Sequence, residues 1–201
     1  NAQVRKLLVS KVDDRIRQRS REVLPFKLTA GQRDALLEIV TDMQKAWPMQ
    51  RLLQGDVGAG KTIVALLAAV VAMENGFQVA VMAPTEILAE QHYRTIVKVL
   101  GGKPYRVALL SGRVTAATRR DLLPAIQRGE INLVVGTQAL VQEHVQFKAL
   151  ALVVIDEQHR FGVVQRGTLA AKGANPDVLV MTATPIPRTL ALTECGDMEV
   201  S

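Results

Sequence analysis

Residues 52–69 read LLQGDVGAGKTIVALLAA, with three glycines and a lysine set between a short apolar run and a longer one. The spacing Gly55-x4-Gly60-Lys61-Thr62 is that of a loop whose glycines let main-chain N–H groups turn inward around phosphate oxygens. In such a loop the lysine meets the outer phosphates and the hydroxyl ligates magnesium, while the helix that follows presents its positive end to the anion. A glycine-rich turn that only joins a strand to a helix needs no particular residue after Gly60. Here Lys61 and Thr62 follow, so Gly55, Asp56, Val57, Gly58, Ala59, Gly60, Lys61 and Thr62 are assigned to a nucleotide phosphate group.

Outward from this loop, the composition narrows the classes. A chain of 201 residues with 48% apolar content is long enough for one large domain, or one domain with an appendage. Its longest apolar run, IVALLAAVVAM at 63–73, is too short to span a bilayer, and no charged start with an apolar stretch and cleavage site opens the chain. Cys195 is the one cysteine, which excludes an internal disulfide and a cysteine zinc cluster and suits a reducing cytoplasm. The expectation is a cytoplasmic protein with no membrane partner. The net charge of +6 is uneven, because residues 1–22 hold seven Lys/Arg against three acidic residues. A basic stretch can follow the field of a polyanion, or it can be a solvated helix face.

Val4, Leu7, Leu8, Val12 and Ile16 recur at helical spacing, so the pattern predicts a basic linker helix within residues 1–24. A second helix is expected from Thr29 to about residue 46, before Trp47-Pro48. From residue 50 onward short apolar runs alternate with amphipathic helical segments. Strands are expected at 51–54, 78–83, 106–110, 131–135, 151–155 and 178–181, mostly as continuous apolar runs that read as buried on both faces. The helices between them stop at Gly76, Gly101-Gly102 and Gly129, residues suited to a left-handed cap. This alternation predicts an α/β domain over 25–201, a parallel sheet with helices on both faces, whose ligands gather at the carboxyl ends of the strands.

LALVVIDEQHRFG, 150–162, brings Asp156 and Glu157 to the end of such a strand. Beside a triphosphate, Asp156 can hold the bridging magnesium and Glu157 can orient the attacking water. The alternative for Asp156 is a helix cap.

The Asp-Glu-x-His box after a phosphate loop resembles the superfamily 2 helicases. The strings LLQGDVGAGKT, MAPTEILAEQH, VVGTQALVQ, VVIDEQHRFGV and VMTATPIPRTLALT together resemble the first motor domain of the RecG-type ATP-dependent DNA helicases. The transcription-repair coupling factors are similar, sharing TATPIPRT and GDVG, but usually carry Asp-Glu-Glu-His where this chain has Asp-Glu-Gln-His. The resemblance runs from about Leu24 to the end and implies a RecA-like P-loop NTPase fold, ATP and Mg2+ as cofactors, and branched or forked DNA as partner.

Residue by residue, the resemblance implies adenine recognition by Gln32 with Phe26 packing nearby, although Thr29-x-x-Gln32 is equally a helix capping box. It implies contacts with a DNA backbone at Pro84, Thr85, Ser111, Gly112, Gly136 and Thr137, where Thr85 and Thr137 could instead only cap helices. It implies that Gln158, His159, Thr182 and Thr184 couple nucleotide state to DNA grip, against the plainer reading of a turn closed by Pro185 and Pro187. It also implies a second motor domain after Ser201, supplying an arginine to the γ-phosphate, and a junction-gripping wedge domain before Asn1. Two other readings stay open: the motor of a coupling factor, and a nucleotide-binding module without turnover.

Overall fold

A computed structural model of the chain describes residues 5–24, 27–55, 60–157, 168–182 and 199–200. Seven strands form one sheet: β1 (Gln50–Gln54), β2 (Gln78–Met82), β3 (Val107–Leu110), β4 (Leu133–Gly136), β5 (Leu150–Asp156), β6 (Asp177–Thr182) and the two-residue β7 (Glu199–Val200). Their order is β3-β4-β2-β5-β6-β1-β7, and every pairing is parallel. The six expected strands are all present, with ends displaced by a residue or two. The edge strand β7 was not anticipated, since two residues carry no readable pattern.

Among the described residues, five α-helices accompany the sheet: α1 (Asp14–Val23), α2 (Ala30–Met43), α3 (Gly60–Glu74), α4 (Glu86–Leu100) and α5 (Ala116–Gln127). Side chains alternate across each strand, and both faces are buried. Val79 and Val81 of β2 join a core with residues of α1 to α4, while Ala80 and Met82 join a second core with Ala125 and Ile126 of α5. The apolar run at 63–73 belongs to α3, which is buried from Ile63 to Met73 between the sheet and the α1 and α2 layer. A helix that is apolar all round has to be enclosed in this way. Gly76, Gly102 and Gly129 have φ of 82°, 78° and 80°, the left-handed conformation expected where helices stop. No described helix is long and apolar enough to cross a membrane.

The linker helix expected within residues 1–24 is only half realised. Residues 5–13 are not helical, and the helix begins at Asp14 after Asp13 caps it by accepting from the Ile16 N–H. Tertiary partners replace the helical ones over this segment. The N–H groups of Lys6 and Ser10 donate to the carbonyls of Ala46 and Met43, Leu7 N–H donates to Ala174, and Lys11 N–H donates to the Asn75 side chain. Leu7, counted in the apolar stripe, is 79% exposed. The segment is a strap across the amino edge of the sheet, fastened by Lys6, whose Nζ lies 2.9 and 3.0 Å from the Asp177 oxygens and 2.9 Å from the Met43 carbonyl. Basic residues here and in α1 also pair with the protein surface: Arg15 and Arg19 with Glu74, while Arg5 lies over the Trp47 ring.

Burial pushes the Asp177 carboxyl up to about 6, against the opposing pull of the Lys6 ammonium and the Met49 N–H. Because this lies above the ordinary 3.8, the folded state keeps a proton that the unfolded chain releases between those values, and the stability it confers is lost as pH rises through about 6. Replacing Lys6 with Met removes the cation, raises the carboxyl further and strands a buried charge. The expected loss in urea unfolding is about 3–5 kcal/mol near pH 8 and clearly less near pH 5, where the variant's Asp177 is protonated. Equal losses at both pH values would remove the pair as their source.

Candidate active site at the carboxyl edge

The register decides which residues meet. Gln54 at the end of β1 lies beside Thr182 of β6, and Asp156 of β5 lies beside Met181. On the other side of β5, Met82 of β2 lies between Ile155 and Gly136, and Gly136 of β4 lies beside Leu110 of β3. Neighbouring strands stand about 4.8 Å apart, so the edge is a short ordered row. Its one half, from β1 through β6 to β5, delivers Gly55, Thr182, Asp156 and Glu157. Its other half, β2, β4 and β3, delivers Pro84-Thr85, Gly136-Thr137 and Ser111-Gly112. The residues assigned to nucleotide and those assigned to DNA therefore separate at the β2–β5 boundary.

On the nucleotide half, Gly55 and Gly60 bracket the loop and Lys61 opens α3. A Cβ added at Gly55 would lie 3.3 Å from Lys61 Cγ, and one at Gly60 would lie 2.8 Å from Gln32 Nε2. The missing side chains are thus the room into which the lysine stem and the glutamine amide fit. Gln32 also completes a capping box: Thr29 N–H donates to its Oε1 at 2.9 Å, and its own N–H donates to Thr29 Oγ1 at 3.1 Å. Thr29, Gln32, Gly55, Gly60, Lys61 and Val64 are among the residues lining a cleft of about 320 Å3, a volume that suits a small ligand. Phe26, Asp56, Val57, Gly58 and Ala59 lie outside the described residues.

Asp156 brings in a residue that the sequence reading did not single out. Its Oδ2 lies 2.6 Å from Nε2 of His92 on α4, with the two side chains 17% and 13% exposed. The signal was present in the helical period, because His92 follows the buried Ala89 by three residues and precedes the buried Ile96 by four. Thr62 and His92 line the same small cavity of about 10 Å3, with Val81, Val154 and Met181, room for roughly one water. Glu157 is held at the strand end by its N–H, which donates to the Met181 carbonyl at 2.9 Å. Thr182 is buried within β6, while Gln158, His159 and Thr184 lie outside the described residues.

The donor chemistry fits magnesium. Asp156 and Thr62 offer hard oxygens, and no group of three or more His, Cys, Asp or Glu among the described residues could enclose a metal by itself. Magnesium takes one or two carboxylates and fills its remaining positions with phosphate and water.

On the other half the threonines differ. Thr85 caps α4 by accepting from Leu88 N–H at 3.2 Å, whereas Thr137 opens a 3-10 turn, Gln138–Val141, without a side-chain cap. Ser111 is fully buried, its hydroxyl accepting from Arg113 N–H and its carbonyl from Arg119. The surface at that turn is therefore made by its neighbours. A Cβ at Gly112 would collide with the Glu86 carboxylate, and Arg113 binds Glu86 at 3.0 Å and Glu90 at 3.3 Å, which ties the turn to α4. Gly136 is required by packing, since a Cβ there would collide with the Leu110 carbonyl and lie 2.8 Å from Leu140 Cγ.

A parallel α/β sheet with the Gly55-x4-Gly60-Lys61-Thr62 sequence following β1 and an Asp-Glu pair at the end of β5 goes with a match of the DEAD/DEAH box helicase family to residues 29–193. The chain belongs to that family. Over 178 residues it is 55% identical to the ATP-dependent DNA helicase RecG of Streptococcus pneumoniae, covering 89% of this chain and 26% of that protein. Over 192 residues it is 50% identical to RecG of Aquifex aeolicus, covering 94% and 24%. A solved structure of RecG bound to a three-way DNA junction superposes with a TM-score of 0.83 at 46% identity, covering 96% of this chain and 26% of that one. The fold is that of a RecA-like helicase domain, and the chain spans about a quarter of the length of these relatives.

Gln32 offers a test with two separate readouts. Replacing it with Ala removes half of the capping box, and the expected loss in denaturant unfolding is about 0.5–2 kcal/mol. Base recognition adds a selective fall in ATP over GTP affinity by calorimetry. A stability loss with unchanged base preference would leave the cap as the only role.

Proposed function

We propose that this chain is the first motor domain of a RecG-type helicase, which uses ATP hydrolysis to move along duplex DNA and remodel branched structures such as stalled forks and Holliday junctions. The observation that carries this reading is the division of the carboxyl edge, with Gly55, Asp156 and Thr182 at three adjacent strand ends and the backbone-binding candidates on the next three. Within it, residues 25–201 form the motor and residues 1–24 the connection from a wedge domain, in a cytoplasmic protein.

The chemistry follows from what each group supplies. The first N–H groups of α3 and the Lys61 ammonium meet the outer phosphates and localise negative charge at the end of β1. Thr62 and Asp156 would hold magnesium, which when bound neutralises charge on the phosphoryl oxygens. Glu157 orients water toward the γ-phosphorus and accepts its proton. Gln32 reads the base edge with its amide, and Thr182, with Gln158, His159 and Thr184 as the resemblance implies, couples nucleotide state to DNA grip. Pro84, Thr85, Gly112, Gly136 and Thr137 hold one DNA strand by its backbone, with Ser111 buried beneath them. The arginine that completes the transition state comes from a facing second motor domain.

Two measurements test this. Lys61→Ala is expected to abolish ATP and ADP binding in calorimetry with an unchanged circular dichroism spectrum, and retained binding would remove the phosphate assignment. DNA-stimulated ATPase of this chain is expected to be about 10³- to 10⁵-fold below that of the same chain extended through a second motor domain, the range an arginine supplied from outside is worth. Comparable turnover of the two would overturn the two-domain mechanism.

A further inference from the structure

The contact between His92 and Asp156 joins the two halves of the carboxyl edge, and α4 is the element that makes the join. At its first turn this helix carries the Thr85 cap and, through Glu86 and Glu90, the Arg113 turn. Seven residues later, about 10 Å along a helix rising 1.5 Å per residue, it presents His92 to Asp156. Ala89, Ile96 and Leu100 are buried along the same helix, which anchors it on the sheet beside β3 and β4. With the carboxylate as acceptor, Nε2 carries the proton and donates it to Oδ2, leaving Oδ1 and one lone pair of Oδ2 for other partners. The bond fixes Oδ2 of Asp156, a strand-end carboxylate, against His92.

We propose that His92 is a positioning residue that presets Asp156 for magnesium and makes α4 the rigid link through which the metal-nucleotide half and the DNA-backbone half of the edge sense one another. The proposal rests on the reading of Asp156 as the magnesium carboxylate. Hydrogen-bond partners behind a metal ligand are worth about 10- to 100-fold in metal affinity when removed. Apart from Thr62 and Asp156 itself, the side chains around the shared cavity are apolar, Val81, Ile96, Leu133 and Val154 among them, so Met can take the place of His92 by volume without offering a donor.

The experiment uses the 201-residue chain, with ADP binding measured by calorimetry in magnesium and in EDTA. For His92→Met the metal-free affinity is expected to stay at the parent value, because Lys61 and the loop are untouched, while the enhancement by magnesium falls by about 10- to 100-fold. His92→Gln, which returns an N–H donor of similar reach, restores most of it. Hydrogen exchange supplies the second readout: in the parent, Mg-ADP changes the exchange of amides at 86–92 beyond what ADP alone does, and in His92→Met that difference disappears. His92→Ala gives the same reading should the Met variant not fold. A folded His92 variant with full magnesium enhancement, or with the parent's exchange response in α4, overturns the proposal. An Asp156→Ala control separates the two levels. If it keeps the magnesium effect, the assignment of the metal carboxylate fails; if it loses the effect while His92→Met keeps it, only the role of His92 fails.

Discussion

The parallel register of β1, β6 and β5 is the constraint on which the rest of this molecule depends. It sets Gln54 against Thr182 and Asp156 against Met181, so segments separated by about a hundred residues of chain deliver their polar ends to one place. A slip of one residue would turn each side chain to the opposite face. The slip is prevented because both faces are committed, with Leu53, Val154, Leu179 and Met181 packed on one side of the sheet and Leu52, Val153, Ile155 and Val180 on the other. Burial of apolar surface thus enforces the position of the few polar groups that do chemistry.

Most of this was legible beforehand because the signals were local. Continuous apolar runs of four to seven residues mark buried parallel strands, and glycines mark the ends of the helices between them. The strap was not legible, because Leu7, Leu8 and Val12 continue backwards the helical stripe to which Ile16 of α1 belongs. What decides their conformation is four N–H partners and one carboxylate contributed from residues 43–46, 75, 174 and 177. A one-dimensional pattern contains no record of such partners.

The candidate site was legible as an expectation, again from local strings. Gly55, Lys61, Thr62, Asp156 and Glu157 announce themselves by spacing within short strings. His92 does not, since a histidine on the inner face of an amphipathic helix reads as packing until the strand opposite is known to end in a carboxylate. Ser111 shows the converse: its neighbours suggest an exposed hydroxyl, yet it is buried beneath a turn that Arg113, Glu86 and Glu90 hold in place. Gln32 is a third kind, since one amide both caps α2 and lines the cleft, and no inspection of Thr29-x-x-Gln32 could have told whether one role excluded the other.

The strap and the site occupy opposite rims of one sheet, and that arrangement sorts the consequences of sequence change. Around Lys6, Met49 and Asp177 at the amino rim, a substitution disturbs buried charge and backbone pairing far from any ligand. It is felt as a change in how much folded protein a cell retains. Around Asp156 and His92 at the carboxyl rim, the polar groups are partly open and the core beneath them closes without their help. On the function proposed for this edge, a change there leaves the amount of protein almost untouched and alters what each molecule does. In a saturation mutagenesis scored separately for abundance and for activity, the two scores would part company across the thickness of a single five-residue strand.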